Sequence, residues 1–154
     1  MSERSSVGTT EVTYARAVVP RGDPLLGKIV RVADRPSYTL EEVTGNPHDQ
    51  GTDWALLGPL INGAQEFSVG VYTMRPNQVH PPHYHPVGPE FYYIISGSCL
   101  LRVDDEEVEV GPETAIYLPE GTVHGARTRA GETVTILYGF DLRDDEPVST
   151  VWLE

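Results

Sequence analysis

Hydrophobic and polar residues alternate with a period of two along several short stretches of the chain. The clearest stretch is Phe67–Met74, FSVGVYTM, in which Phe, Val, Val and Thr alternate with Ser, Gly, Tyr and Met. This period places successive side chains on opposite faces of a β-strand. Segment Glu106–Val110 alternates in the same way, and Asp104-Asp105 before it predicts a tight hairpin. The pattern therefore predicts short strands joined by turns.

No long window has the period of an amphipathic helix, and 15 Gly and 13 Pro would interrupt most candidate helices. About nine or ten short strands at this spacing predict an all-β protein built as a sandwich or barrel. The predicted strands cover residues 27–32, 38–43, 53–57, 65–74, 90–95, 98–103, 106–110, 114–118 and 133–142.

The charge balance limits the classes of partner. The chain has 11 Lys and Arg against 23 Asp and Glu, a formal net charge of -12. Such a surface repels phosphate backbones and anionic headgroups, so we expect neither nucleic acid nor a membrane as partner. No apolar run is long enough to cross a bilayer, and the segment Met1–Thr10 lacks the charged-then-apolar order of a secretory signal. These features predict a cytoplasmic protein.

A length of 154 residues suits one domain. Residues 1–24 are rich in Ser, Thr and Gly and contain two prolines, which predicts an N-terminal arm, and residues 25–154 form the predicted single domain. The lone cysteine, Cys99, allows neither an internal disulfide nor a thiolate metal cage. A metal in this protein would therefore be bound by histidines and carboxylates.

The segment around His83 contains the residues with metal-binding potential. In an extended chain His83 and His85 share a face, so both imidazoles can reach one ion. Glu90 follows a Pro- and Gly-rich turn as a candidate third ligand, and His124 follows a second Pro-x-Gly turn as a candidate fourth. Three imidazoles and one carboxylate suit one divalent transition metal: Fe(II), Mn(II), Ni(II), Zn(II) or Cu(II).

These residues resemble the two sequence motifs of the cupin superfamily, the germin-like small β-barrels. The motif positions present are His83, His85, Glu90, Gly97, Pro119, Gly121 and His124. The resemblance covers about half of the chain and implies a double-stranded β-helix, or jelly-roll, with a metal site that leaves coordination positions open for substrate. It also implies a homodimer with exchanged terminal segments, to which residues 1–32 and the strand Ser149–Leu153 would contribute.

Three positions depart from the family motifs. Asn77 stands where the first motif opens with glycine, Glu113 where the second opens with glycine, and Thr128 where the second ends with asparagine. Asn tolerates positive φ, so it still suits a turn after Pro76. None of the three is a metal ligand in the family, so the departures affect loop geometry rather than the ligand set.

Several residues near the motifs have two interpretations. Tyr92 lies two positions after Glu90, so its phenol points to the same interior face, either as a catalytic proton carrier or as a hydrogen-bonded core aromatic. Tyr93 points to the opposite face. His80 and Gln78 fit a surface loop better than the mouth of the barrel, and His48 fits a turn. We expect some of four further residues to shape a substrate pocket: Tyr72, Met74, Tyr117 and Tyr138.

Three classes of function fit the resemblance, all with a small-molecule partner. The favoured one, by a small margin, is a quercetinase-like dioxygenase, because a four-residue gap separates His85 from Glu90 and aromatics follow. There Glu90 would be both ligand and base. The second is a non-oxidative lyase, isomerase or cyclase, similar to dimethylsulfoniopropionate lyases or single-domain polyketide cyclases, with Tyr92 as base. The third is a non-catalytic binder or sensor.

Overall fold

β-Strands dominate the computed structural model, which describes residues 27–142 and 149–153. A short 3-10 helix covers Val32–Asp34, and one α-helix, α1, covers Leu40–Thr44. In chain order the strands are β1 (Tyr38–Thr39), β2 (Thr52–Leu57), β3 (Phe67–Met74), β4 (Val79–Tyr84), β5 (Glu90–Gly97), β6 (Cys99–Val103), β7 (Glu106–Val110), β8 (Ala115–Leu118), β9 (His124–Arg127), β10 (Val134–Asp141) and β11 (Val151–Trp152).

The strands form two antiparallel sheets that share one core. The six-stranded sheet has the order β1-β2-β3-β10-β5-β8, and the five-stranded sheet has the order β11-β4-β9-β6-β7. Buried residues of both sheets, such as Ile94 and Ile136 from the first and Leu101 and Ala126 from the second, belong to one hydrophobic cluster. The predicted all-β class and the double-stranded β-helix are therefore confirmed.

Strand β5 shows how the alternating pattern determines which side chains face the interior. Glu90, Tyr92 and Ile94 are buried, whereas Phe91 and Tyr93 between them are exposed. This is the period of two expected for a strand with one face on the core. The same strand therefore directs a carboxylate, a phenol and an aliphatic side chain into the interior.

Positive φ occurs at turn positions that match the sequence motifs. Asp104 (φ 53°) opens the predicted hairpin between β6 and β7, which is confirmed. Asn77 (φ 60°) and Glu113 (φ 61°) keep the left-handed backbone at the two positions where the family motifs have glycine. Gly97 cannot be replaced in this way, because a Cβ there would collide with the carbonyl oxygen of Thr133.

Two stretches differ from the predicted strands. Residues 38–43 form β1 and then α1, because Thr39 and Glu42 make a reciprocal capping box and Gly45 ends the helix in the left-handed conformation. Residues 27–32 contain a turn and the start of the 3-10 helix instead of a strand.

Near the chain ends, the described residues begin at residue 27 and include the segment 149–153. The predicted arm, residues 1–24, lies outside the described residues. Strand β11 pairs with β4 of the same chain, with Trp152 opposite His83. In the described part of the chain, no helix has the length and apolar character required to span a membrane.

Candidate metal centre

The four predicted ligands come together in the interior from different parts of the chain. His83 lies on β4 and His85 directly after it, Glu90 begins β5, and His124 begins β9 opposite His83. One ligand atom from each of the four lies within 4.8 Å of the others, and all four residues are buried. In addition, the amide of Gly121 donates to the carbonyl of His85, which ties the second motif's turn to the first.

Backbone carbonyls hold the three imidazoles in one tautomer. The Nδ1 atoms of His83, His85 and His124 lie 2.8, 2.9 and 2.9 Å from the carbonyl oxygens of Pro81, Ser149 and Thr122. A carbonyl oxygen only accepts, so each Nδ1 carries a hydrogen, and Nε2 is the ring nitrogen left to bind a metal. Ligating histidines are oriented by this kind of hydrogen bond.

The Nε2 atoms of His85 and His124 converge on the carboxylate of Glu90. Glu90 Oε2 lies 3.1 Å from His85 Nε2 and 2.8 Å from His124 Nε2. These three atoms are buried, and none has a hydrogen-bond partner of suitable geometry in the described part of the chain. Buried polar atoms without partners are costly, and a bound cation would satisfy all three. The residues therefore fit a divalent metal with three nitrogen ligands and one oxygen ligand.

The electrostatics of the cluster favour the protonation states that bind metal. Burial lowers the pKa of His83 well below its usual value, and the neighbouring imidazoles of His80, His124 and His85 lower it further, so the ring is neutral at pH 7. Burial alone would raise the pKa of Glu90, but the imidazoles of His124 and His85 outweigh it and bring this pKa down to about 2. A neutral imidazole and a charged carboxylate are the forms that ligate metals.

Tyr92 lies beside the four candidate ligands, as its position on β5 predicts. It is 1% exposed, and its ring centroid is 5.8 Å from that of His124. Its phenol approaches that of Tyr72, yet neither hydroxyl has a partner with hydrogen-bond geometry among the described residues. Burial, and then the charge of Glu90, raises the pKa of Tyr92 well above its usual value. The phenol is therefore protonated at neutral pH.

His80 is not in a surface loop, and that prediction was wrong. It lies on β4, is 7% exposed, and its ring centroid is 4.6 Å from that of His83. Its Nδ1 lies 2.6 Å from Oδ1 of the buried Asp49, whose other oxygen accepts from Thr44. Burial opposes charge on His80, but the carboxylate of Asp49 outweighs it and raises the pKa of His80.

A second buried carboxyl lies near this pair. Asp53 on β2 is 0% exposed, and its Oδ1 accepts a hydrogen bond of 2.8 Å from Tyr138 on β10. Burial raises the pKa of Asp53 to about 7; the bond from Tyr138 opposes this, Asp49 adds to it and His80 opposes it. We call Asp49, Asp53, His80 and Tyr138 the inner cluster.

Sequence reasoning missed both carboxyls of the inner cluster. Asp53 had a signal, since alternation places it on the same strand face as Ala55, where an acid is unusual. Asp49 had none, because it follows an ordinary turn that contains the exposed His48.

The other singled-out residues divide between interior and surface. Tyr72, Met74 and Tyr138 are buried, whereas Tyr117 is 70% exposed and is excluded from a pocket. Gln78 stays in the turn before β4, where its side chain accepts from the amide of Arg75. Thr128, which replaces the motif asparagine, donates to the carbonyl of Arg75 and accepts from the amide of Gln78, so it holds that turn by other means.

The fold and this ligand geometry agree with a family match: the cupin domain matches residues 70–140. The chain belongs to the cupin superfamily. The matched range contains both motifs and all four candidate ligands.

This chain is similar to a polyketide cyclase, to a polyketide synthase protein and to a lyase. The polyketide cyclase RemF from Streptomyces resistomycificus has a solved structure with a TM-score of 0.69 and 29% identity, covering 82% of this chain and 86% of that one. The tetracenomycin polyketide synthase protein TcmJ of Streptomyces glaucescens is 27% identical over 70% of this chain and 72% of its own length. The dimethylsulfoniopropionate lyase DddW of Ruegeria pomeroyi is 34% identical over 53% of this chain and 55% of its own length.

Proposed function

We propose that this cupin is a metal-dependent enzyme that catalyses a non-oxidative reaction, of the cyclase type, on a small enolisable carbonyl compound. The observation that carries the proposal is that Nε2 of His85, Nε2 of His124 and Oε2 of Glu90 are buried beside the phenol of Tyr92. None of them has a hydrogen-bond partner in the described part of the chain. The similarity to the polyketide cyclase RemF, which extends over most of both chains, supports the reaction class.

His83, His85, Glu90 and His124 would hold the metal. A divalent transition metal bound there would supply Lewis-acid polarisation of a substrate carbonyl. The three imidazoles are held in place by their carbonyl partners, so they need no rearrangement to ligate. The aromatic side chains of Phe140 and Trp152, packed against His85 and His83, shield this side of the site from water.

Tyr92 is the proposed proton-transfer residue. Its Oη lacks a hydrogen-bond partner among the described residues and lies on the face of β5 that carries Glu90. In the proposed reaction Oη gives its proton to the substrate carbonyl oxygen. The phenolate so formed takes the proton from the carbon next to that carbonyl, which leaves the enol and restores the phenol. Because the pKa of Tyr92 is raised by burial and by Glu90, the phenolate is a strong base and the phenol is the resting form.

The test is turnover without oxygen. The full-length protein is added anaerobically to a reconstituted polyketide synthase that releases an uncyclised poly-β-ketone, with and without prior removal of metal by a chelator. We expect a new cyclised product only with the metal-loaded protein. Tyr92→Phe should keep the metal and lose most of this activity, with Tyr93→Phe, on the outer face, as the matched control. Turnover that persists after metal removal, or that Tyr92→Phe leaves unchanged, would contradict these assignments.

A quercetinase-like dioxygenase is the second candidate, favoured by the gap between His85 and Glu90 and by the aromatics after it. In that hypothesis Glu90 is also the base for a substrate hydroxyl. Oxygen uptake with a flavonol or catechol would support it, whereas cyclisation under argon favours the first proposal. Bound metal without turnover in either assay would favour the non-catalytic binder or sensor.

A homodimer in the cytoplasm, with residues 1–24 as an exchanged arm, is part of the proposal. The outer face of the six-stranded sheet supports the dimer, because Phe91, Tyr93, Ile95 and Tyr117 are all exposed on neighbouring strands there. Exposed apolar side chains that adjoin one another are typical of interaction surfaces. Sedimentation of the full chain measures the dimer directly.

A further inference from the structure

Asp53 has an acceptor atom that nothing in the described structure uses. Its side chain is fully buried, and only Oδ1 has a partner, the hydroxyl of Tyr138. Oδ2 is buried and lacks a hydrogen-bond partner among residues 27–142 and 149–153. A buried carboxyl oxygen without a donor is unfavourable unless a ligand or water supplies one. Asp53 is separate from the four candidate metal ligands.

Aromatic residues with hydroxyl groups connect Asp53 to the metal centre. Ring centroids are 5.8 Å apart between Tyr92 and His124, 5.9 Å between Tyr72 and Tyr92, and 5.9 Å between Tyr72 and Tyr138. Tyr72 lies directly opposite Asp53 in the register of β2 and β3. The partnerless hydroxyls of Tyr72 and Tyr92 thus lie between the candidate ligands and the partnerless oxygen of Asp53.

The position of Tyr138 depends on a glycine in the neighbouring strand. Gly70 pairs with Tyr138 across β3 and β10, and a Cβ at Gly70 would lie well inside van der Waals contact of the Tyr138 hydroxyl. The absence of a side chain lets the phenol lie over β3 and reach Asp53. Tyr138 orients the carboxyl so that Oδ1 is occupied and Oδ2 is not.

We propose that Asp53 is a second substrate-binding residue, whose Oδ2 accepts a hydrogen bond from an enol or phenol hydroxyl at the end of the substrate remote from the metal ligands. This proposal rests on the proposed function and specifies its substrate class: a compound with oxygens at intervals along its length, as in an enolised poly-β-ketone. One oxygen lies at the metal end and one at Asp53, with Tyr92 and Tyr72 available to oxygens between them.

The raised pKa of Asp53, about 7, supports this class. Burial is the largest cause of this rise, and the groups that act on the pKa of Asp53 are Tyr138, Asp49 and His80. A carboxyl that exchanges its proton near neutrality can accept from an enol or donate to the corresponding ketone, so it tolerates both tautomers of a β-diketone.

The test compares naphthoresorcinol, which has two hydroxyl groups, with its dimethyl ether, in which methyl groups replace both hydroxyl hydrogens. Binding to the metal-loaded, full-length protein is measured by calorimetry. We expect the wild type to bind naphthoresorcinol about 10- to 100-fold more tightly than the ether, because only naphthoresorcinol can donate a hydrogen bond to the carboxylate. Asp53→Asn should abolish or reverse the preference, since the amide nitrogen donates where Oδ2 accepted. Asp53→Leu, an apolar substitute for a buried position, should abolish it as well.

Asp105→Asn, on the exposed hairpin turn, is the matched control and should keep the preference. Metal content is measured for each variant and should equal that of the wild type. A wild type that binds neither probe, or binds both equally, overturns the proposal, and so does a preference that survives both Asp53 variants. If the preference depends on Asp53 but no cyclisation occurs, only the proposed function fails. If cyclisation occurs and the preference for naphthoresorcinol does not depend on Asp53, only this proposal fails.

Discussion

His80 and His83 lie three residues apart on β4 and are both buried, yet the pKa values of their imidazoles shift in opposite directions. Nδ1 of His83 donates to a backbone carbonyl, which leaves a neutral ring with a free Nε2 lone pair. Nδ1 of His80 faces the carboxylate of Asp49 and the pKa of His80 is raised. The partner of Nδ1 therefore decides whether a buried histidine is suited to a metal or to a charged pair.

The same contrast holds for the carboxyls of the two regions. In the metal centre the imidazoles of His124 and His85 overcome burial and lower the pKa of Glu90 to about 2. In the inner cluster two carboxyls share one imidazole, and burial raises the pKa of Asp53 to about 7. One region thus holds a charged carboxylate, and the other a carboxyl that gains or loses a proton near neutrality. The barrel interior holds both kinds of site.

The largest expected effect separates the two histidines by metal affinity. His83→Ala should weaken binding of a divalent transition metal by roughly 1,000-fold or more, because four ligands together supply on the order of 10–16 kcal/mol. His80→Gln should change the metal affinity by no more than roughly tenfold. This is the lower end of the effect of residues that contact the ligands without binding the metal. Competition with a chromogenic chelator measures both. Equal losses in the two variants would contradict the distinction.

A large pH effect is expected from Asp53. An unfolded Asp titrates near a pKa of about 3.9, and burial raises the pKa of folded Asp53 to about 7. The folded state therefore binds the extra proton between these values, and the free energy of unfolding falls as pH rises from about 4 to about 7. The difference corresponds to roughly 4 kcal/mol.

Asp53→Asn removes this titration. Urea unfolding across the same pH range should show the wild type losing stability relative to Asp53→Asn as pH rises. Asp105→Asn, on the exposed turn, should follow the wild type. Parallel profiles for the wild type and Asp53→Asn would mean that Asp53 titrates normally.

A smaller effect is expected from removing the carboxylate that faces His80. Asp49→Asn leaves the buried imidazole without its charged partner, which should lower the free energy of unfolding at neutral pH by about 3 kcal/mol. Glu107→Gln, which breaks the exposed ion pair with Arg127, is the control and should cost far less. Metal affinity should stay near that of the wild type in both variants. A loss of metal in Asp49→Asn would show that the inner cluster and the metal centre act as one site.

The parts of the site that sequence reasoning predicted correctly follow from local periodicity. Glu90 and Tyr92 point inward and Tyr93 outward because β5 alternates regularly from Glu90 to Ile94. His80 breaks the same rule: strict alternation would place His80 and His83 on opposite faces, but the register of β4 against β9 shifts between them. Both rings therefore face the interior. Pro81 and Pro82, which lie between the two histidines and cannot donate to the ladder, mark this irregularity in the sequence. The side to which each ring turns depends on the partner strand.

Pairings across the barrel could not be predicted for a similar reason. Tyr138 and Asp53 are 85 residues apart in sequence and meet only because β2 and β10 flank β3. Asp49 lies in the loop between α1 and β2, whose path no periodicity determines. By contrast, the two residues of the capping box, Thr39 and Glu42, can be recognised in the sequence. They indicate a helix where we predicted a strand.

The most direct test of the metal centre is elemental analysis of the full-length protein purified without chelators, carried out on the wild type and on His124→Ala. We expect about one divalent transition metal ion per wild-type chain, as a site of four protein ligands implies, and almost none in the variant. His48→Ala, which removes an exposed histidine, should match the wild type. A wild type that holds no such metal, or a His124→Ala protein that keeps its full content, would contradict the assignment.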